Sequence, residues 1–378
     1  MNSKIIVSAN PKASYYARKS EIDAAVLNVL NGGTYILGNS VSSFEKNFSK
    51  YIATEHCVGV ASGTDALLLA LRASGIGPGD DVLTVSHTAV ATIAAIVLTG
   101  ARPVLVDIDE DTFTLDVTQL ESVLTCRNDL NIKAIVAVHL YGHPADMHKI
   151  MQMAFKYNIT VIEDCAQAHG ALVRDKKVGS IGHFGAFSFY PTKNLGGFGD
   201  AGAIVLNDTQ AFERIRMLQQ YGWRKRYVSE IHGMNSRLDE MQAAILEVKL
   251  KYLDDNNFRR VEIANHYRSK LSAINIKLPV EKCGYRHVFH QYVVKTNKRD
   301  GLQEFLLNKN INTSVLYPQP VHLQEGYKSL CCIGVSDLSK TEKACKELLC
   351  LPIYPELSDD DVDYVCDTIL DWAGNSKE

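Results

Sequence analysis

The sequence predicts an α/β fold: a doubly wound, mostly parallel sheet in a chain that, at 378 residues, is long enough for two domains. Three observations predict it. Short β-branched runs alternate with helical patterns of about ten residues, the rhythm of right-handed βαβ crossovers. Many of those helical patterns close on Gly or Asn, as helix stops do. Polar side chains gather where the apolar runs end, and open α/β sheets bind ligands beyond the carboxyl ends of their strands.

In chain order, the runs read as buried strands are "CVGVA" (57–61), "DVLTVS" (81–86), "PVLVDI" (103–108), "AIVAVHLYG" (134–142) and "TVIEDCA" (160–166). Between or beside them lie the helical patterns "GTDALLLALRASG", "AVATIAAIVLTG", "DVTQLESVL" and "DMHKIMQMAFKYN". A later run, "FSFYPTKNLGGFGDAGAI" (187–204), starts as an aromatic strand end, breaks at Pro191 and carries Lys193 into a glycine-rich return. Those glycines are expected where side chains would crowd a ligand or force unfavourable dihedrals.

Bulk properties narrow the function. The net charge is −3 and the pI about 6.5, with no basic block, so neither nucleic acid nor an anionic membrane is the expected partner. The nine cysteines are scattered without a CxxC pair, which argues against a disulfide framework and against a zinc site. No metal is expected. The opening residues lack the apolar core of a signal peptide, so a cytoplasmic protein acting on a small molecule is the expectation.

Three strand ends concentrate polar groups. In "ASGTDAL" (61–67) a strand passes through Ser62, Gly63 and Thr64 into a helix, which reads either as an ordinary cap or as a phosphate cradle. "VIEDCAQAHG" (161–170) runs straight into Glu163, Asp164, Gln167 and His169. The third holds Ser188 and Lys193. A phosphate cradle, a carboxylate and a lysine at the lip of one sheet are what pyridoxal phosphate requires. The amine condenses with the aldehyde, the carboxylate keeps the ring nitrogen protonated, and desolvation frees the amine to act as nucleophile and base.

These residues resemble the DegT/StrS group of nucleotide-sugar aminotransferases, fold-type I enzymes dependent on pyridoxal phosphate. The resemblance runs through "GGTYILG" (32–38), "ASGTDAL", "EDCAQAHGA", "SFYPTKNLGGFGDAGAI", "NSRLDEMQAAIL" (235–246), "YPQPVHLQ" (317–324) and "LPIYPELSDDDV" (351–362). It implies a large cofactor-binding domain over residues 1–255 and a smaller C-terminal α+β domain over 256–378. By the same resemblance Lys193 is the Schiff-base lysine, Asp164 the partner of the ring nitrogen, and Gln167 a neighbour of the phenolic oxygen. Gly63, Thr64 and Ser188 hold the phosphate, and Asn235 reaches it from a second subunit, which implies a homodimer with shared sites. The residue-level reading of "NSRLDEMQAAIL" is a helix start capped by Asn235 or Ser236 and supported by Glu240.

Ala89 stands where many relatives carry an aromatic residue over the cofactor. His87 is then either the covering ring or a core histidine. Relatives that dehydrate their substrate have histidine in place of Lys193, so the resemblance implies transamination: L-glutamate gives its amino group, leaves as 2-oxoglutarate, and a keto sugar receives it. The "YPxPxHLQ" loop is similar to that of members acting on dTDP-linked 3-keto-6-deoxyhexoses, with 4-keto nucleotide sugars as the alternative. The pathway expected is deoxyamino sugar synthesis for a surface polysaccharide such as a lipopolysaccharide O-antigen. Tyr190, Tyr317 and His322 are then candidates to face the sugar, His322 being as readily a structural residue between Pro320 and Tyr327. Arg224, in "YGWRKRY", reads either as a diphosphate ligand or as a solvated turn. A regulatory homologue would be expected to lack Lys193 or Asp164, and both are present. An amino-acid enzyme would be expected to offer a fixed arginine for the substrate carboxylate, and Arg286, in the C-terminal part, stands in no supporting motif.

Overall fold

The structure, a computed structural model, describes residues 5–375. The five strands expected from the apolar runs form as β1 (His56–Val60), β2 (Asp81–Val85), β3 (Arg102–Val106), β4 (Ile132–Val138) and β5 (Thr160–Asp164). Three more join them: β6 (Phe184–Ser188), β7 (Gly202–Leu206) and β8 (Cys332–Ile333). Together they make one eight-stranded sheet in the order β1-β7-β6-β5-β4-β2-β3-β8. All contacts from β6 to β8 along that order are parallel. Only β7 runs against its neighbours, pairing antiparallel with both β1 and β6. β7 does not follow the strand–helix alternation, because β6 returns to it through the connection 189–201 without a crossover helix.

Side-chain alternation splits the core into two layers, one on each face of the sheet. Val58, Val82, Val136, Ile162 and Ile204 pack on one face with the helix Gly63–Ala73. Cys57, Leu83, Ile135, Val161 and Val205 pack on the other, where Phe44, Phe48, Phe187 and Phe189 interlock edge to face and stacked. A third cluster gathers Ile263, Tyr267, Tyr292, Leu349 and Ile369 around an antiparallel pair, Tyr292–Lys295 with Leu348–Leu351. Helix Leu253–Leu271 joins the two bodies: Leu253 belongs to the sheet's core, while Tyr267 and Leu271 belong to the third cluster. Ile6, from the start of the chain, also packs in that third cluster, and β8 comes back from the C-terminal part to edge the large sheet.

The expected cap of the helix after Asn235 is replaced by a longer-range arrangement. That helix is Glu240–Leu250, and its flanking Asp239 makes no side-chain cap bond. Ser236 instead accepts from the Ala61 amide at 3.1 Å and donates to Asp65 at 2.6 Å. Glu240, buried, accepts from the amides of Gly38, Ser40 and Val41, so it caps the helix Asn39–Ile52 across the fold. A carboxylate on a helix N-terminus answers both the orphan donors and the dipole.

Candidate active site

A cavity of about 230 Å³ opens beyond the carboxyl ends of β4, β5 and β6. Its walls include Gly63, Thr64, Asp164, Gln167, Ser188, Tyr190 and Lys193, so residues from all three polar strand ends converge there. A larger hollow of about 420 Å³ beside Glu240 and Glu247 offers no cation, and its helix end is already capped by Glu240.

At the anion end, Ser62 takes the amide of Asp65 with its side chain and that of Ala66 with its carbonyl. The first-turn amides of Gly63 and Thr64 are left for a ligand. Gly63 has to be glycine: a Cβ there would lie 2.6 Å from the Ser188 Cβ. The helix end and the Ser188 hydroxyl therefore close on the same small space.

Across the cavity, Asp164 is buried. Thr92 donates to one carboxylate oxygen at 2.8 Å, Thr88 bonds to Thr92 at 2.9 Å, and the Ala166 amide reaches the other oxygen at 3.2 Å. Burial raises the affinity of Asp164 for a proton, while these donors and the nearby Lys193 work against it. Lys193 is lowered to about 8, because burial disfavours its ammonium more than Asp164 supports it.

The connection that carries Lys193 is held along its length. The Lys193 amide bonds to the Tyr190 carbonyl, the Gly197 amide to that of Phe189, and the Phe198 amide to Gln242 at 2.8 Å. The glycines there serve packing, which corrects the expected reason. None of Gly196, Gly197, Gly199 and Gly202 has a positive φ. A Cβ would strike the Pro191 carbonyl from Gly196, Gln242 from Gly197 or Gly199, and the Ser62 backbone from Gly202.

Gln167 lines the cavity with its amide oriented from behind: Oε1 accepts from the Tyr141 amide at 2.7 Å and Nε2 donates to the Tyr317 hydroxyl at 3.0 Å. One Nε2 hydrogen is left over. Tyr317 thus touches Gln167 rather than lining the cavity. His322 bonds Ser86 at 2.7 Å and ties its loop to the end of β2. His87 lies in the core, between the Tyr141 hydroxyl at 2.8 Å and the Cys345 sulfur at 3.4 Å, and burial lowers it to about 4. It does not line the cavity, so the covering role weighed for it has no geometric support. Arg224 is exposed on the hairpin Trp223–Ser229, paired with Glu230 at 2.9 Å. Asn235 is exposed and stands outside the cavity wall.

His139, which the sequence reading passed over, does line the cavity. Its Nδ1 accepts from the Ala145 amide and its Nε2 pairs with Glu163 at 3.1 Å, so only its ring remains to offer. The signal was present, a histidine ending an apolar strand in "VAVHL", but it looks like any buried polar residue. With Cys165 the pair His139–Glu163 forms a compact trio, yet Glu163 also accepts from the amides of Ile181 and Gly182 and is already satisfied.

The residues present fit pyridoxal phosphate. The glycine-floored anion end, the buried Asp164 and the depressed amine of Lys193 meet three different demands of that one molecule.

The profile of the DegT/DnrJ/EryC1/StrS aminotransferase family matches residues 17–370. The chain is 45% identical over 363 residues to a dTDP-3-amino-3,4,6-trideoxy-alpha-D-glucose transaminase of Streptomyces venezuelae, covering 96% of this chain and 94% of that one. It is also 45% identical over 351 residues to a dTDP-3-amino-3,6-dideoxy-alpha-D-galactopyranose transaminase of Aneurinibacillus thermoaerophilus, covering 93% and 95%. The crystal structure of S. venezuelae DesV in complex with a ketimine intermediate superposes with a TM-score of 0.94 at 43% identity over 98% of both chains. The chain belongs to the DegT/DnrJ/EryC1/StrS aminotransferase family, and its fold is that of the fold-type I aminotransferases.

Proposed function

We propose that this enzyme transfers an amino group from L-glutamate to the keto carbon of a dTDP-linked 3-keto-6-deoxyhexose. The observation that carries the reading is the convergence of Lys193, Asp164 and the open helix end at Gly63 on one cavity, in a chain 45% identical to two dTDP-3-amino sugar transaminases. Pyridoxal phosphate, when bound, supplies an electron-accepting ring and a temporary seat for the amino group.

The chain's own residues do the rest. Gly63 and Thr64 amides with the Ser188 hydroxyl hold the phosphate. Asp164, kept in place by Thr92 and Ala166, holds a proton on the ring nitrogen. Gln167 spends its remaining hydrogen on the ring's oxygen. The flat ring of His139 supplies a stacking surface that Ala89 cannot. Lys193, with roughly a tenth of its amine neutral at pH 7, moves the proton between the substrate carbon and the cofactor. Tyr190, half exposed at the mouth, meets the sugar. Asn235 lies on the surface, where it completes the phosphate site of a second copy, and the working unit is a homodimer.

Absorbance tests this directly. Wild-type protein supplied with pyridoxal phosphate should gain a band near the visible edge that Lys193→Ala lacks and that L-glutamate bleaches. Return of the band on adding dTDP-linked 3-keto sugars, but not 4-keto sugars, is expected. A colourless wild type would overturn the assignment of Lys193, and recovery with 4-keto sugars alone would overturn the sugar.

A further inference from the structure

Gln167 is gripped at both ends of its amide, and the grips leave that amide one orientation. The Tyr141 backbone amide can only donate, so the atom 2.7 Å from it is Oε1, and Nε2 therefore faces the Tyr317 hydroxyl at 3.0 Å. Tyr141 is itself tied at every polar group. Its carbonyl accepts from the Gln291 amide at 3.1 Å, its hydroxyl donates to the Leu316 carbonyl, and His87 Nε2 meets the same hydroxyl at 2.8 Å. A phenol has one hydrogen and Leu316 takes it, so His87 donates from Nε2 and turns a bare Nδ1 toward the Cys345 sulfur at 3.4 Å. The backbone of Tyr141 is bent to suit, with φ at 60°, a left-handed conformation that a bulky side chain rarely adopts. Beside it the Gly142 carbonyl accepts from the Val288 amide at 3.1 Å, and a Cβ on Gly142 would come within 2.9 Å of the His290 nitrogen. Backbone strain held by this many ties is the pattern of a positioning element.

Gln167 follows β5 of the large sheet, whereas Gln291, Leu316 and Tyr317 all belong to the C-terminal part of the chain. We propose that the C-terminal part aims Gln167 at the cofactor through the pair Leu316–Tyr317, Tyr317 directly and Leu316 by way of Tyr141, and that Tyr317 is a positioning residue rather than a sugar contact. This rests on the contact between Gln167 and the ring's oxygen proposed above. With Oε1 and one Nε2 hydrogen held from behind, the second Nε2 hydrogen is directed into the cavity that Gln167 lines and Tyr317 does not. The frame carries no charge near neutral pH: burial lowers His87 to about 4 and raises the phenols of Tyr141 and Tyr317 and the thiol of Cys345 above their ordinary values. Asp164 and the buried Cys350 are the further titratable groups acting on these phenols, and Lys193 shares the cavity. The hydrogens of the frame therefore keep their places around neutral pH.

A pH titration of the coloured band, in the full-length protein loaded with pyridoxal phosphate, tests the positioning. The band reports the proton between the Lys193 nitrogen and the ring's phenolic oxygen. A hydrogen bond donated to that oxygen weakens its hold on the proton, so the band fades at lower pH while Gln167 points in. Gln167→Leu should move the midpoint up by about one pH unit, and Tyr317→Phe, which keeps the ring and its packing, by about half a unit in the same direction. Because Tyr317 acts through Gln167, the double variant should match Gln167→Leu alone. An unmoved midpoint in Tyr317→Phe, or a double variant at the sum of the two shifts, would overturn the positioning role. The ideas fail separately: a colourless wild type removes the Lys193 assignment, an unmoved Gln167→Leu removes the contact with the ring's oxygen, and a shifted Gln167→Leu beside an unmoved Tyr317→Phe removes only the role of Tyr317.

Discussion

At Lys193, burial and chemistry act in the same direction. The folded state lowers the amine from 10.5 to about 8, so the neutral form is the minor species at pH 7 and the major one above 8. Cofactor uptake by the apoprotein should therefore rise about ten-fold per pH unit below 8 and level off above it; a flat profile between pH 6 and 8 would contradict this. Asp164→Asn keeps the shape but removes the charge. It should still bind pyridoxal phosphate, with transamination slowed on the order of 10²-fold or more, read as kcat in steady state. Both residues were legible in the sequence, because a lysine after a strand break and a carboxylate at a strand end are chemically conspicuous. His139 and His87 were not, since a histidine's role depends on which neighbours occupy its two nitrogens, and those neighbours lie far along the chain.

The elements were legible where one periodicity governed them. Apolar runs gave five strands and the helices between, but β7 and the two-residue β8 lacked the crossover signature and emerged only from pairing. Capping was misread for the same reason: a local pattern at Asn235–Glu240 concealed a carboxylate serving a helix about two hundred residues away in sequence. Glu240→Ala would strand the amides of Gly38, Ser40 and Val41, with an expected loss of about 1–3 kcal/mol, measured by urea unfolding. Gly63→Ala tests the anion end. Its Cβ must push Ser188 aside, at a cost of about 1–3 kcal/mol, and cofactor affinity should fall along with stability.

Over the whole molecule, one body carries the sheet and another packs against it through helix Leu253–Leu271, with Ile6 and β8 crossing between the two. Length and the C-terminal motifs suggested two bodies; the crossings could not be read, because they pair segments more than two hundred residues apart, Ile6 with Ile311 and Cys332 with Val104. The homodimer with shared sites proposed above makes a distinctive prediction. Lys193→Ala and Asn235→Ala protomers, each nearly inactive alone, should regain roughly a quarter of wild-type activity when subunits exchange at random in a two-fold dimer. A mixture no better than its parts would show that each protomer builds its site alone.

The depressed amine has one more consequence. A lysine whose folded pKa lies below its unfolded value weakens the fold while it is charged, so the penalty is full below about pH 8 and fades as the pH rises toward 10.5. Without cofactor, the protein at neutral pH is thus a loaded spring. Replacing Lys193 with methionine should raise the apoprotein's melting temperature at pH 7 and change it little at pH 10.5. Selection for robustness alone would discard this lysine, and a screen for heat-resistant variants would drift toward inactive ones unless the cofactor were present to hold the residue in place.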